Sequence, residues 1–418
     1  MPSHINDVYT LLIPTYNRPK NFERLVTYLS RRNVGFQIIV LDSSRDEAAL
    51  EANAEVLSGT NLNVRYARFD PDMEPFVKFA EGLKLVTTPY CSFCADDDIL
   101  FTDRIQDCVD FLEENPFYVG AHGYYVNFIE EDVFKLTYAI QTGSSIAGDN
   151  ALKRLAQQLR YYDVIFYPVY RTEVAQRAQA TAAQMGILLF MELVGSSMSL
   201  IEGGVARLDS FFLARNTDQS LATDGWHPHE MLPKGPERMF REYLTYRKPI
   251  LDALARDTHL ASTYDEEKRK RIVDLMHLRY LAPMLDQTIL DFMIDGSIAH
   301  DEPAEIVKGV WDRWVYSGQT ERPKHPRRAY PPSRLDNFLR RLKVWLSEEK
   351  LGRRMSEGKP PSDWLNPHTD RYVDEKTANG DPRRYLVYDE LIYQALPTNR
   401  HISPEDVRAM ISHLNDYI

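Results

Sequence analysis

Apolar residues in the first 115 positions fall into short runs that alternate with amphipathic stretches. Residues 8–13 form an unbroken β-rich run that stops at Pro14, and residues 36–41 form a second that ends at Asp42. Further runs cover 62–69 and 90–94. Between them the spacing predicts helices over 21–31, 45–57 and 75–86. Thr102 then offers a cap to a helix carrying Ile105, Val109 and Leu112 on one face, which Asn115 and Pro116 end. Short apolar strands separated by helices of this length predict βαβ units, and so a parallel sheet with right-handed crossovers.

From 118 to 140 the strand signals are aromatic and closer together, as in an antiparallel extension. A helix over 149–159, a strand over 163–170, helices over 173–182 and 187–200, and two short strands at 205–208 and 211–215 follow. Residues 216–234, rich in Asp, His, Pro and Gly, read as a mobile loop. After Pro236 strand signals vanish and long helical patterns take over, at 238–246, 266–295 and 303–316. Ser403, Pro404, Glu405 and Asp406 give the last helix a cap, a first-position Pro and acids in its first turn. The expected organisation is α/β. A Rossmann-like, mostly parallel sheet flanked by helices occupies 1–235 (halves 1–116 and 117–235), and an all-helical C-terminal domain occupies 236–418.

The 418 residues suit two or three domains. A hydrophobic share of 44% and a charged share of 27% exclude collagen-like and wholly disordered chains. Fifty basic against 61 acidic residues leave a net charge of −11, which gives no general affinity for nucleic acid. No apolar run reaches the roughly 18–20 residues of a membrane span, and the first residues lack the features of a signal peptide. Cys91 and Cys94 make a lone C-x-x-C inside an apolar run, which reads as two buried free thiols. The expected location is a reducing cytoplasm.

In an open parallel sheet, ligands bind beyond the carboxyl ends of the strands. Three such ends carry chemistry here. The first runs into Pro14, Thr15, Tyr16, Asn17 and Arg18, offering amides, hydroxyls and a guanidinium to a nucleotide. The second ends in Asp42, able to accept from a base or ribose hydroxyl. The fourth runs into Ala95, Asp96, Asp97 and Asp98, where three adjacent carboxylates repel one another unless a cation sits among them. Mg²⁺ or Mn²⁺ suits such a place, because it takes one or two carboxylates and completes its shell with phosphate oxygens and water.

On these motifs, over about residues 8–215, the chain resembles a family 2 type glycosyltransferase with the GT-A fold. The resemblance implies a nucleoside-diphosphate sugar donor, with Pro14, Thr15, Tyr16 and Asp42 as nucleoside contacts. It implies Asp96 facing ribose or sugar, Asp97 as principal metal ligand and Asp98 beside it. Lys78, on the helix before the fourth strand, is expected to reach the diphosphate. Ala95 stands where many members carry the first Asp of a D-x-D. By the same resemblance the base opens a helix followed by a β-hairpin, which is the position of Glu192, the only acid from 185 to 200. A carboxylate there is expected to be buried and its pKa raised toward that of a general base.

The 216–234 loop holds Asp218, Asp224, Trp226, His227 and His229, read mainly as a solvated turn that could close over a site. His122 reads as a core or strand-end histidine. In 322–354, 11 basic residues face three acids. From Ser333 to Arg354 that stretch reads as a basic amphipathic helix with Leu335, Phe338, Leu339, Leu342, Trp345 and Leu346 on one face. It suits docking against the acidic remainder of the chain or a second subunit, with peripheral membrane contact as the rival. The expected acceptor is a glycan, lipid-linked or protein hydroxyl. Two other functional readings remain: a non-catalytic scaffold, motivated by Ala95, and a nucleotidyltransferase, disfavoured by the glycine-free first turn.

Overall fold

The computed structural model describes residues 5–130, 134–140, 144–161, 164–216, 236–281, 385–387 and 404–417. In chain order the elements are α1 (Ile5–Val8), β1 (Tyr9–Thr15), α2 (Pro19–Arg31), β2 (Gln37–Asp42), α3 (Glu47–Ser58), β3 (Val64–Arg68), α4 (Pro75–Leu83), β4 (Tyr90–Phe93), β5 (Ile99–Leu100) and α5 (Arg104–Glu114). There follow β6 (Tyr118–Glu130), β7 (Phe134–Ile140), α6 (Ala151–Tyr161), β8 (Val169–Arg171), α7 (Thr172–Ala182), α8 (Leu188–Glu202) and β9 (Gly204–Asn216). Beyond these lie α9 (Pro236–Arg256), α10 (Thr258–Thr263), α11 (Glu266–Leu281), β10 (Tyr385–Val387) and α12 (Pro404–Tyr417).

The strands form one mixed sheet in the order β10-β7-β6-β8-β4-β1-β2-β3, with β9 beside β6 and β5 on β9. β1 pairs in parallel with β2 on one side and β4 on the other, and β3 lies parallel beyond β2. The chain therefore reverses its direction of winding at β1, the switch point where such sheets bind ligands. The expected parallel half and the antiparallel β6–β7 extension are both present.

Both faces of β1, β2 and β4 are covered, which is why these strands read as largely apolar runs. Side chains alternate across a strand. Leu12, Ile39 and Leu41 point into a core with α4, α7, α8 and α9, while Leu11, Ile13, Ile38 and Val40 point into one with α2, α5 and α12. Arg154 of α6 secures the end of α8, donating to Leu200 O (2.6 Å) and Ile201 O (2.9 Å), carbonyls a helix end leaves unpaired.

Three expectations are corrected. The two short strands at 205–208 and 211–215 are one strand, β9, running parallel to β6, so no β-hairpin follows α8. Asp209 and Ser210, the break between the two expected strands, are absorbed together with Leu208 by a register shift between β6 and β9. Strand signals do not vanish after Pro236: β10 adds in parallel to the edge strand β7. Nor does all of 236–418 stand apart, because α12 packs on α2, β5 and β9 of the sheet unit. The basic stretch 322–354 and the helical patterns at 282–295 and 303–316 lie outside the described residues, as do Asp218, Asp224, Trp226, His227 and His229.

Candidate active site

The carboxyl ends of β1, β2 and β4 meet at the switch point. Thr15 stands opposite Asp42 in the β1–β2 register, and its Oγ1 donates to Asp96 Oδ2 at 2.7 Å. Arg18 precedes Pro19, whose fixed backbone starts α2 without a side-chain cap. Its guanidinium reaches across to the acidic turn, 3.3 Å from Asp96 Oδ1 and 2.8 Å from Asp97 Oδ2. Asn17 has φ 52°, a left-handed conformation that Asn tolerates. Its Oδ1 accepts from the amides of Arg45 (3.0 Å) and Asp46 (3.1 Å), while its own amide donates to Ser44 Oγ (2.8 Å). Asn17 thus ties the first strand end to the second. Pro14 and Tyr16 are half-buried beside it.

Two residues expected at the ligand are committed inside the protein. Asp42 is fully buried. Its Oδ1 accepts from the Ser44 amide (2.7 Å), and its Oδ2 accepts from Asn53 Nδ2 (2.8 Å) and Tyr66 OH (2.7 Å). Lys78 is buried too, its ammonium donating to Thr15 O (3.2 Å) and Ser43 Oγ (2.7 Å). Burial pulls its pKa down to about 8, against the opposing pull of Asp96 and Asp42. Both residues brace the strand ends, and neither presents an open face to a nucleotide in this geometry.

The three acids diverge. Asp96 and Asp98 are each pushed up to about 7, first by burial and then by the Asp97 charge. Arg18 and Thr15 oppose the rise at Asp96; Arg215, the Asn216 amide and Tyr167 oppose it at Asp98. Asp98 is buried, and its Oδ1 accepts from Asn216 N at 2.9 Å. Asp97 keeps 17% of its side chain exposed, next to Arg18. Among the described residues no three His, Cys, Asp or Glu side chains form a metal-holding group. One accessible carboxylate still fits a hard cation that draws its other ligands from phosphate and water. Asp97 is that carboxylate, with Asp96 adjacent.

Glu192 lies on the second turn of α8, half-buried. It lines a cavity with Phe76, Phe93, Phe166 and Ser196. Phe76 of α4 and Phe93 of β4 bring elements of the sheet half into its lining. His122 is buried, its Nδ1 2.8 Å from Gly123 O. Cys91 and Cys94 are buried free thiols, Cys91 pushed up to about 12 by burial. Arg215, which sequence reasoning did not single out, neighbours Asp98, and its charge also interacts with Glu192. The only sequence signal for it was a basic residue at the end of an apolar strand.

The mixed sheet flanked by helices, with a Thr–Asp–Arg network at its switch point, is a GT-A-like α/β fold. Residues 10–176 match the model described as Glycosyl transferase family 2. Solved structures of S. aureus TarS are similar to this chain. The crystal structure of TarS 1-349 in complex with UDP-GlcNAc is 14% identical, covers 69% of this chain and 79% of its own, and gives a TM-score of 0.45. A crystal structure of TarS 1-349 gives 13% identity, 72% and 83% coverage and a TM-score of 0.44. A search of curated protein sequences gives no match. Among the described residues no helix is long and apolar enough to cross a membrane.

Proposed function

We propose that the sheet domain, 1–235, transfers a sugar from a nucleoside-diphosphate sugar to an acceptor hydroxyl, with inversion at the anomeric carbon. The observation that carries this reading is the network in which Thr15 and Arg18 on the first strand end hold Asp96 and Asp97 on the fourth, within a segment matching a glycosyltransferase family. Lys78, bonded to Thr15 and Ser43, keeps the first two strand ends together beneath the ligand. Asp97 would hold Mn²⁺ or Mg²⁺, which supplies charge neutralisation to the leaving nucleoside diphosphate. Glu192 takes the proton from the acceptor hydroxyl. The acceptor oxygen then bonds to the anomeric carbon as the carbon–oxygen bond to the diphosphate breaks on the opposite face. UDP-GlcNAc, the compound in the TarS complex named above, is the first probe.

The reading is tested with a panel of UDP-, GDP- and CDP-sugars in Mn²⁺, following release of the nucleoside diphosphate, beside calorimetric titration of the diphosphates. Glu192→Gln is expected to lower turnover by about 10²–10⁴-fold with diphosphate binding intact. Asp97→Ala is expected to weaken that binding in Mn²⁺. A silent panel together with no nucleotide binding favours a non-catalytic scaffold and overturns the proposal.

A further inference from the structure

Arg18 and a divalent cation want the same carboxylate. One nitrogen of the guanidinium, Nη1, lies 2.8 Å from Asp97 Oδ2 and 3.3 Å from Asp96 Oδ1. Among the described residues Arg18 is the side chain that hydrogen-bonds Asp97. Asp96 differs, because its other oxygen accepts from Thr15 Oγ1 at 2.7 Å and keeps that partner whatever Arg18 does. Exposure differs in the same sense. Asp96 has 4% of its side chain open to solvent, whereas Arg18 and Asp97 keep 25% and 17%. Both chain neighbours of Arg18 are fixed, Asn17 by the amides of Arg45 and Asp46 and Pro19 by its own ring. Coordination of an ion by Asp97 would set two positive charges side by side, which is unfavourable in a partly enclosed site. A guanidinium matches phosphate oxygens as well as it matches a carboxylate. Helix α2 begins at the next residue with no acid in its first turn, so nothing on that helix end repels an anion.

We propose that Arg18 is a resident counter-ion of the acidic turn, which competes with the divalent cation for Asp97 and moves to the diphosphate when the donor binds. The proposal rests on the reading of this site as the place of a nucleoside diphosphate. In the free protein Arg18 neutralises Asp97 and keeps the affinity for a bare cation low. With a diphosphate present Arg18 exchanges a carboxylate for a phosphate and leaves Asp97 open. Cation and diphosphate are then coupled through Arg18, each raising the affinity for the other beyond what their own contact supplies. The sign of the effect separates this role from a structural one. An arginine that only pins the turn would, on removal, weaken both ligands, whereas a competitor for Asp97 would on removal strengthen the cation and weaken the diphosphate.

The test uses the full chain and needs no turnover. Mn²⁺ alone is titrated by the electron paramagnetic resonance of the free ion, and UDP is titrated calorimetrically, once in EDTA and once in Mn²⁺. Arg18→Gln is expected to tighten Mn²⁺ alone by about tenfold or more and to weaken UDP in EDTA by about tenfold. Arg18→Lys, which keeps the charge but not the planar fork, should fall between wild type and Arg18→Gln on both scales. Lys20→Gln removes an exposed charge two positions on and should move neither affinity by more than about twofold. Arg18→Gln that weakens both ligands, or leaves Mn²⁺ alone at its wild-type affinity, overturns the proposal. So does equal tightening of Mn²⁺ by Lys20→Gln and Arg18→Gln, since general charge then accounts for the effect. Should Arg18→Gln lack the wild-type far-ultraviolet circular dichroism, Arg18→Lys decides by the same two signs. In each of these cases the site reading stands as long as the wild type binds UDP in Mn²⁺. A wild type that does not bind it overturns the site reading itself, and the role of Arg18 falls with it.

Discussion

Asp42 shows how far a carboxylate at a strand end can be drawn into the fold. Three donors from three different parts of the chain converge on it, and no part of it is exposed. Hydrogen bonds to a buried charged acceptor contribute about 1.5–3 kcal/mol each, and a donor left facing another donor costs its full desolvation. Asp42→Asn puts an NH₂ group among these donors and is expected to lose about 2–4 kcal/mol in urea unfolding, with Tyr66→Phe losing about 1–2 kcal/mol. Unchanged stability with abolished nucleotide binding would return Asp42 to the ligand. Carboxylates at strand ends were legible in the sequence, because strand period and terminal residue are both local. Their allotment was not. Asp98 is occupied by a residue 118 positions away, and Asp42 by Asn53 and Tyr66 on separate elements. Arg215 was missed for the same reason: a lone Arg at a strand end carries no mark of Asp98, which the β5–β9 pairing sets across from it.

Helices α8, α9 and α11 are joined by a buried polar chain that bears on where Glu192 is held. His277 of α11 has Nδ1 2.7 Å from Val273 O, a carbonyl that can only accept, so Nδ1 carries the proton. Its Nε2 then accepts from Tyr246 OH of α9. Tyr246 stacks on Phe190 of α8, ring centres 4.7 Å apart. Burial lowers the His277 pKa to about 4, the Val273 carbonyl opposing. Above about pH 6.5 folded and unfolded chains both hold a neutral imidazole and the group adds no pH dependence. Between about 6.5 and 4 the unfolded chain binds a proton that the folded one refuses. Stability should therefore fall with pH by about 3 kcal/mol in all, at roughly 1.4 kcal/mol per unit. His277→Phe removes that slope, so the stability difference between wild type and variant should narrow from pH 7 to pH 4.5 in denaturant titrations. A constant difference would show that His277 is not held neutral. Periodicity foretold the long helices, including 266–281 as the first part of a longer pattern. It could not tell that a His inside one of them is a link to the next.

At the scale of the whole molecule, the chain closes on itself through its last helix. Met410, His413, Leu414 and Tyr417 of α12 are buried, spaced as one helical stripe, and they cover α2 and the β5 end. Tyr28 OH sits 2.7 Å from His413 Nδ1 across 385 residues, and the same hydroxyl donates to Leu100 O at 2.6 Å. Phe101 stacks on His413, Arg104 pairs with Asp406 (2.6 Å), and Arg32 with Asp416 (3.0 Å). The cap chemistry at Pro404 and the amphipathic stripe were open to a reading of sequence, whereas the surface that receives the stripe was not. A periodic pattern names a face and not its partner, and here the partner is nearly the full chain length away. The ion pairs are partly exposed and contribute little, so the apolar stripe should dominate. Leu414→Ala is expected to lose about 2–4 kcal/mol of global stability, whereas Asp416→Ala should lose under about 1 kcal/mol. Because Leu100 lies two residues from Asp98 on the strand that pairs with β9, loosening the stripe should also reach the site. Deleting 404–418 is therefore expected to lower the midpoint of unfolding followed by far-ultraviolet circular dichroism and to weaken nucleoside-diphosphate binding together. If the deletion lowers the midpoint yet leaves binding at its full-length value, α12 stabilises the sheet without setting the acidic turn.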